Sequence, residues 1–132
     1  MLATIFFSLR KCITVDAIGD TLRGTKGIML DMYRQPDKLL EALEAITPIL
    51  IKMGISYTTA SGNPMVLIPI HKGADGFLSD EQFKNFYWSS FRKLLVGLVE
   101  EGRVPCVFAC HFPFPGLGYI TQKESICAWQ PI

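Results

Sequence analysis

Two short stretches hold side chains able to do chemistry: His71-Lys72-Gly73-Ala74-Asp75-Gly76-Phe77, and Cys110-His111. In the first, His71 suits a general acid or a metal ligand. Lys72 suits pairing with a substrate carboxylate, and Asp75 suits orienting a group or accepting a proton. A plainer reading of the same loop has its glycines making the turn, Asp75 bonding turn amides and Lys72 solvated. His71, Cys110 and His111 together are ligand types that zinc takes. Neighbours such as Cys110 and His111 point to opposite sides of a continuing strand, however, and no recognised ligand spacing is present. No cofactor is expected from these residues, and zinc is the alternative. Ser79 is better used as a helix cap than as a nucleophile. Gly24 and Gly27 lack the strand–turn–helix context of a phosphate loop.

Both stretches follow apolar runs. Met65-Val66-Leu67-Ile68-Pro69-Ile70 reads as a strand buried on both faces, with Pro69 near a sheet edge or at the strand's end. Val104 to Ala109 reads as a second buried strand, with Cys106 in the core. Between them Ser79-Asp80-Glu81-Gln82 is a capping box. Phe83, Phe86, Tyr87, Phe91, Leu94, Leu95, Leu98 and Val99 follow at helical spacing, and Gly102 ends the run. Strand, capped helix, turn and strand make a βαβ unit with parallel strands. Ligands of such folds gather where the loops leave the C-terminal ends of the strands. If the two strands are neighbours, about 4.8 Å apart, His71, Asp75, Cys110 and His111 share one rim.

Upstream, Gln35-Pro36-Asp37 opens a helix whose stripe is Leu39, Leu43, Ile46 and Leu50, widened by Leu40 and Ile51. Pro48 predicts a kink near Glu44, and Gly54 a stop. Ser56 to Pro64 and Asp20 to Gly27 read as loops, and Ile28 to Arg34 as a short helical turn. Residues 1–16 show no clear period. From Cys110 onward the sequence Phe112-Pro113-Phe114-Pro115-Gly116-Leu117-Gly118 suits neither helix nor strand.

The composition bounds what these elements can serve. With 132 residues, 49% hydrophobic and 19% charged, the chain has enough apolar matter for one core. A formal charge of +1 supplies no field for a nucleic acid or an anionic membrane, so neither is an expected partner. No apolar stretch approaches the roughly 20 residues of a spanning helix. Arg10 and Lys11 follow the apolar run Leu2 to Phe7 rather than precede it, the reverse of a secretory signal. Four cysteines without a Cys-x-x-Cys pair suggest no disulfide framework. A cytoplasmic, reduced protein is expected.

The segment Gly19 to Leu40, with Asp20-Thr21-Leu22-Arg23-Gly24-Thr25-Lys26-Gly27 and Met32-Tyr33-Arg34-Gln35-Pro36-Asp37, resembles the uroporphyrinogen decarboxylase superfamily. So does His71 to Phe83, with its Gly76-Phe77-Leu78-Ser79 turn, the Phe-rich helix and the Val104-Pro105 strand entry. The likeness is to the uroporphyrinogen-III-decarboxylase-like branch and covers about residues 18–109. It implies an α/β fold that is part of a (β/α)8 barrel, with residues 1–17 and 110–132 as divergent ends. It also implies cofactor-free decarboxylation of tetrapyrrole acetate side chains, as in porphyrin biosynthesis, with a small-molecule tetrapyrrole as substrate. The family's N-terminal Arg pair and Asp fall outside the matched segment, its Ser position aligns with Gly73, and its Tyr position lies near Asp20. The superfamily's alternative activity is zinc-dependent methyl transfer involving corrinoids. Its His-x-Cys places Cys110 correctly but finds Phe108 where the His belongs. A whole barrel needs about 250 residues, so the match amounts to half of one. That leaves two further expectations: a fragment inactive as it stands, or one that self-associates through unpaired strand edges.

Overall fold

The computed structural model describes residues 14–73, 77–109 and 127–129. Helices α1 (Thr14–Ala17), π1 (Ile18–Arg23), α2 (Thr25–Arg34) and α3 (Pro36–Ser61) lead into strand β1 (Met65–Ile70). Then come α4 (Asp80–Gln82), π2 (Phe83–Trp88), α5 (Ser89–Glu100), β2 (Val104–Ala109) and the short β3 (Cys127–Trp129). The fold is a mixed α/β arrangement, mostly helical, on a parallel sheet. None of the described helices is long and apolar enough to cross a membrane.

The expected loop from Asp20 to Gly27 is instead two helical pieces meeting at Gly24. There φ is 75°, in the region that favours glycine, and the chain changes direction. The Gly24 carbonyl still accepts from the Ile28 amide at 3.0 Å, so α2 begins at once. Arg23 reaches across the break and grips Asp31 with Nε–Oδ2 at 2.6 Å and Nη2–Oδ1 at 3.0 Å. Local charge pairing has overridden a loop-like composition.

Helix α3 begins at Pro36 as the sequence predicts, and Leu39, Leu43 and Leu50 are buried. It continues through Pro48 and past Gly54, ending where Gly62 takes a left-handed φ of 68°. The expected stop at Gly54 and the polar loop from Ser56 are therefore corrected. The hydroxyls of Ser56, Thr58 and Thr59 bond back to the carbonyls of Lys52, Gly54 and Ile55. They satisfy themselves inside the helix, so their presence does not end it.

The capping box forms as read: the Gln82 amide donates to Ser79 Oγ at 3.2 Å and the Ser79 amide to Gln82 Oε1 at 3.1 Å. The run behind it is continuous but carries a π turn over Phe83–Trp88. Phe83, Tyr87, Phe91, Leu94, Leu95 and Leu98 are fully buried. The Phe83 and Tyr87 rings stack at 5.3 Å between centroids, and Tyr87 meets Phe91 at 5.8 Å. Gly102 closes the run, its amide donating to Val99 and the Arg103 amide to Leu98.

Strands β1 and β2 pair in parallel with no slip, from Met65 opposite Val104 to Ile70 opposite Ala109. This is the βαβ unit that the sequence predicts. Along β1, Val66, Ile68 and Ile70 are buried while Leu67 and Pro69 are half-covered, so burial is complete on one face only. α3 packs against α5 and β1, and α5 against β2. Cys106 is buried in mid-strand as expected. β3 lies parallel beside β2, Cys106 opposite Cys127, a strand that the residues after Cys110 did not signal. Thr14–Ala17 is buried in the same core, with Thr14 Oγ1 and Ser90 Oγ 2.6 Å apart. The packed unit thus includes α1.

Candidate functional site: the carboxyl edge of the parallel strands

Because Ile70 and Ala109 are register partners, the chain leaves β1 and β2 at the same level. His71 is the first residue beyond β1 and is exposed. Its amide donates to Asp16 Oδ2 at 3.3 Å. Lys72 is not the solvated loop lysine of the plainer sequence reading: it is buried, only 5% exposed. Asp75, Cys110 and His111 lie outside the described residues, so the shared rim is defined here by His71 and Lys72.

Asp16, in α1, organises this edge. Its Oδ1 accepts from the Lys72 amide at 3.0 Å and lies 3.4 Å from Lys72 Nζ. Its Oδ2 accepts from the Tyr87 hydroxyl at 2.9 Å as well as from His71. One carboxylate therefore ties α1, the end of β1 and π2 together. A buried charge survives only when it is paired and its remaining lone pairs are occupied, and here both conditions are met. Burial, with the Asp16 charge and the hydrogen bond to it, pushes the Tyr87 hydroxyl well above its usual 10. It remains a neutral donor to Asp16.

Lys72 Nζ also pairs with Asp20, which sits four residues after Asp16 and so on the same side of the helical turn. The two carboxylates differ in setting: the Asp16 side chain is 6% exposed and that of Asp20 47%. The lysine stem reaches them by crossing Gly19, where an added Cβ would come within 2.8 Å of Lys72 Cε. A side chain at that position would have to push the lysine stem aside. A fixed positive charge, an inner carboxylate that holds it and an outer carboxylate facing water thus stand where the parallel strands end.

Sequence reasoning found Lys72 and its position but missed Asp16, Asp20 and Tyr87. Asp16 and Asp20 carried one available signal: two acids at i,i+4 in the mostly apolar stretch from Ile13 to Ile18 and just beyond it. Tyr87 looked like one more aromatic of a core stripe. Among the described residues no group of three or more His, Cys, Asp or Glu is arranged to hold a metal ion. His71 alone of the zinc candidates is described.

A second polar cluster lies away from this edge. Asp31 accepts from Arg23 and from Gln35 Nε2 at 2.9 Å. The Arg23 hydrogen bond first, then that of Gln35, holds its carboxyl at about 2, below the ordinary 3.8. The cluster clamps π1 to α2, with no opening toward the strand edge needed to explain it.

No family model matches the chain, and no curated protein or solved structure matches it.

Proposed function

We propose that the chain is part of a uroporphyrinogen-decarboxylase-like (β/α)8 barrel whose parent reaction removes CO2 from tetrapyrrole acetate side chains without a cofactor. The observation that carries this reading is the buried ammonium of Lys72 at the carboxyl edge of a parallel strand pair. Barrel enzymes hold their sites at that edge. A substrate bearing several carboxylates needs fixed positive charge to seat it. In a site partly closed to water such a charge acts far more strongly than in bulk solvent. The reaction breaks the bond between the acetate carboxyl and its methylene. The electron pair passes into the ring system, CO2 leaves, and a proton then completes the methyl group. The roles supported for this chain's residues are modest: Lys72 seats a carboxylate, while Asp16 and Tyr87 position Lys72.

The test is a fluorescence titration of the full chain with uroporphyrinogen, kept reduced under anaerobic conditions. The comparator is the same macrocycle with its acetates already converted to methyl groups. Uroporphyrinogen is expected to bind at least tenfold more tightly. Equal affinity for the two, or no binding of either, overturns the proposal.

A second reading is favoured by the sheet itself. Among the described residues the strand order is β1-β2-β3, which puts β1 at an edge, although Val66, Ile68 and Ile70 are buried on its inner face. An edge strand offers its backbone groups to another chain. On that reading the chain acts as a non-catalytic piece that completes its sheet with a second copy. Light scattering would then show a mass that rises toward twice 14.8 kDa with concentration, whereas a constant monomer mass excludes it.

A further inference from the structure

The pairing of Lys72 with two unlike carboxylates has a functional meaning that the decarboxylase reading does not by itself supply. Asp16 is fully engaged, accepting from two backbone amides and a tyrosine hydroxyl in addition to its contact with Nζ. Moving it would break those three hydrogen bonds as well as its contact with the buried ammonium, so it is the permanent partner. Asp20 is different. Its side chain is about half in water, and its contact with Lys72 Nζ is an ion pair with one face open to solvent. Water can solvate Asp20 when it leaves, and the buried ammonium can release it where another carboxylate takes its place. Lys72 would then keep Asp16.

The segment that carries Asp20 is Ile18–Arg23. It is a π turn, a local irregularity that recurs at functional sites. It is bounded on one side by Gly19, which lies against the lysine stem, and on the other by Gly24 at φ 75°. The turn is exposed from Asp20 to Arg23.

We infer that Lys72 Nζ is a carboxylate-binding position, that Asp20 fills it in the ligand-free chain, and that a ligand carboxylate exchanges with Asp20 while Asp16 stays in place. The inference depends on the decarboxylase reading only for its choice of a carboxylate-bearing ligand. Asp20 is an internal competitor with an effective concentration on the order of millimolar or more. A simple carboxylate must overcome that concentration to bind, whereas a ligand with several acid groups can do so through its other contacts. Asp20 therefore acts as a specificity filter against small acids.

The experiment uses the full chain and sodium acetate, with sodium chloride at matched ionic strength as the control. The readout is the backbone amide shifts of Gly19, Asp20 and Lys72 in two-dimensional NMR. Acetate is expected to bind Asp20→Ala at least tenfold more tightly than it binds the unaltered chain, and to leave Lys72→Met unperturbed. Equal acetate affinity with and without Asp20 overturns the inference. So do acetate shifts that persist in Lys72→Met. Where circular dichroism shows that Lys72→Met has lost its fold, the comparison between the unaltered chain and Asp20→Ala decides alone. Tight acetate binding by Asp20→Ala together with no uroporphyrinogen binding would leave this exchange standing and remove the decarboxylase reading. Uroporphyrinogen binding at least tenfold tighter than its comparator, with no gain in acetate affinity in Asp20→Ala, would do the reverse.

Discussion

The Asp16 carboxylate has the largest energetic consequence of any single group at the strand edge, because three elements meet on it. Asp16→Asn leaves Lys72 with Asp20 alone and takes an acceptor from two amides and the Tyr87 hydroxyl, so it should lower stability by about 1–3 kcal/mol in urea unfolding. A double-mutant cycle with Lys72→Met should show strong coupling, the pair of changes costing less than the sum of the single ones. Additive losses would mean that the two side chains do not depend on each other. At the other cluster the sign of the pH dependence is fixed by Asp31, whose folded-state carboxyl lies at about 2 against 3.8 when free. A depressed value favours the folded state at every pH above 3.8, and the benefit disappears as pH falls from there toward 2. Arg23→Gln should flatten the stability profile in that window and lower stability by a constant amount above it, near neutrality included. Little of this was legible in the sequence. Lys72 stood out by type and place, but nothing in its neighbours told that it would fold inward. Its partners lie 52 and 56 positions away along the chain, and periodicity carries no information about contacts at that separation.

Secondary structure was more readable wherever its signal was local. The cap at Ser79 and the stripe from Phe83 to Leu98 were predicted from spacing alone, and both are present. Ser79→Ala removes an oxygen that accepts from the Gln82 amide. It should cost about 1 kcal/mol, seen as a lower unfolding midpoint, while Ser79→Asp should restore most of it. No loss on Ser79→Ala would mean that π2 and α5 are held by packing alone. The misread elements failed for identifiable reasons. Gly54 and the hydroxyl-rich residues after it resemble a helix end, yet Thr58 is buried and its hydroxyl returns to the Gly54 carbonyl at 2.8 Å. The glycines and charges of residues 20–27 resemble a loop, yet one ion pair between Arg23 and Asp31 joins two helical pieces across Gly24. In each case a side-chain contact chose between two conformations that composition alone left equal.

At the scale of the molecule, helices α1 to α3 and the run from α4 to α5 enclose one apolar core with the parallel strands. Val15, Ile28, Leu43, Ile68 and Phe91 all belong to it. The βαβ unit was legible because it needs only two apolar runs and an amphipathic helix between them. The inclusion of α1 was not legible, since its four residues carry too little periodicity to type. Residues 14–73 and 77–109 close a single core, locked at the strand edge by the buried Asp16–Lys72 pair. Urea unfolding of the full chain, followed by circular dichroism and by tryptophan fluorescence in parallel, tests this most directly. One transition with coincident probes and a slope of about 1–3 kcal/mol per molar urea is expected. Asp16→Asn should move the midpoint down without changing that slope. A gradual loss of signal, or probes that part from one another, would contradict a single closed core. So would an Asp16→Asn midpoint indistinguishable from that of the unaltered chain.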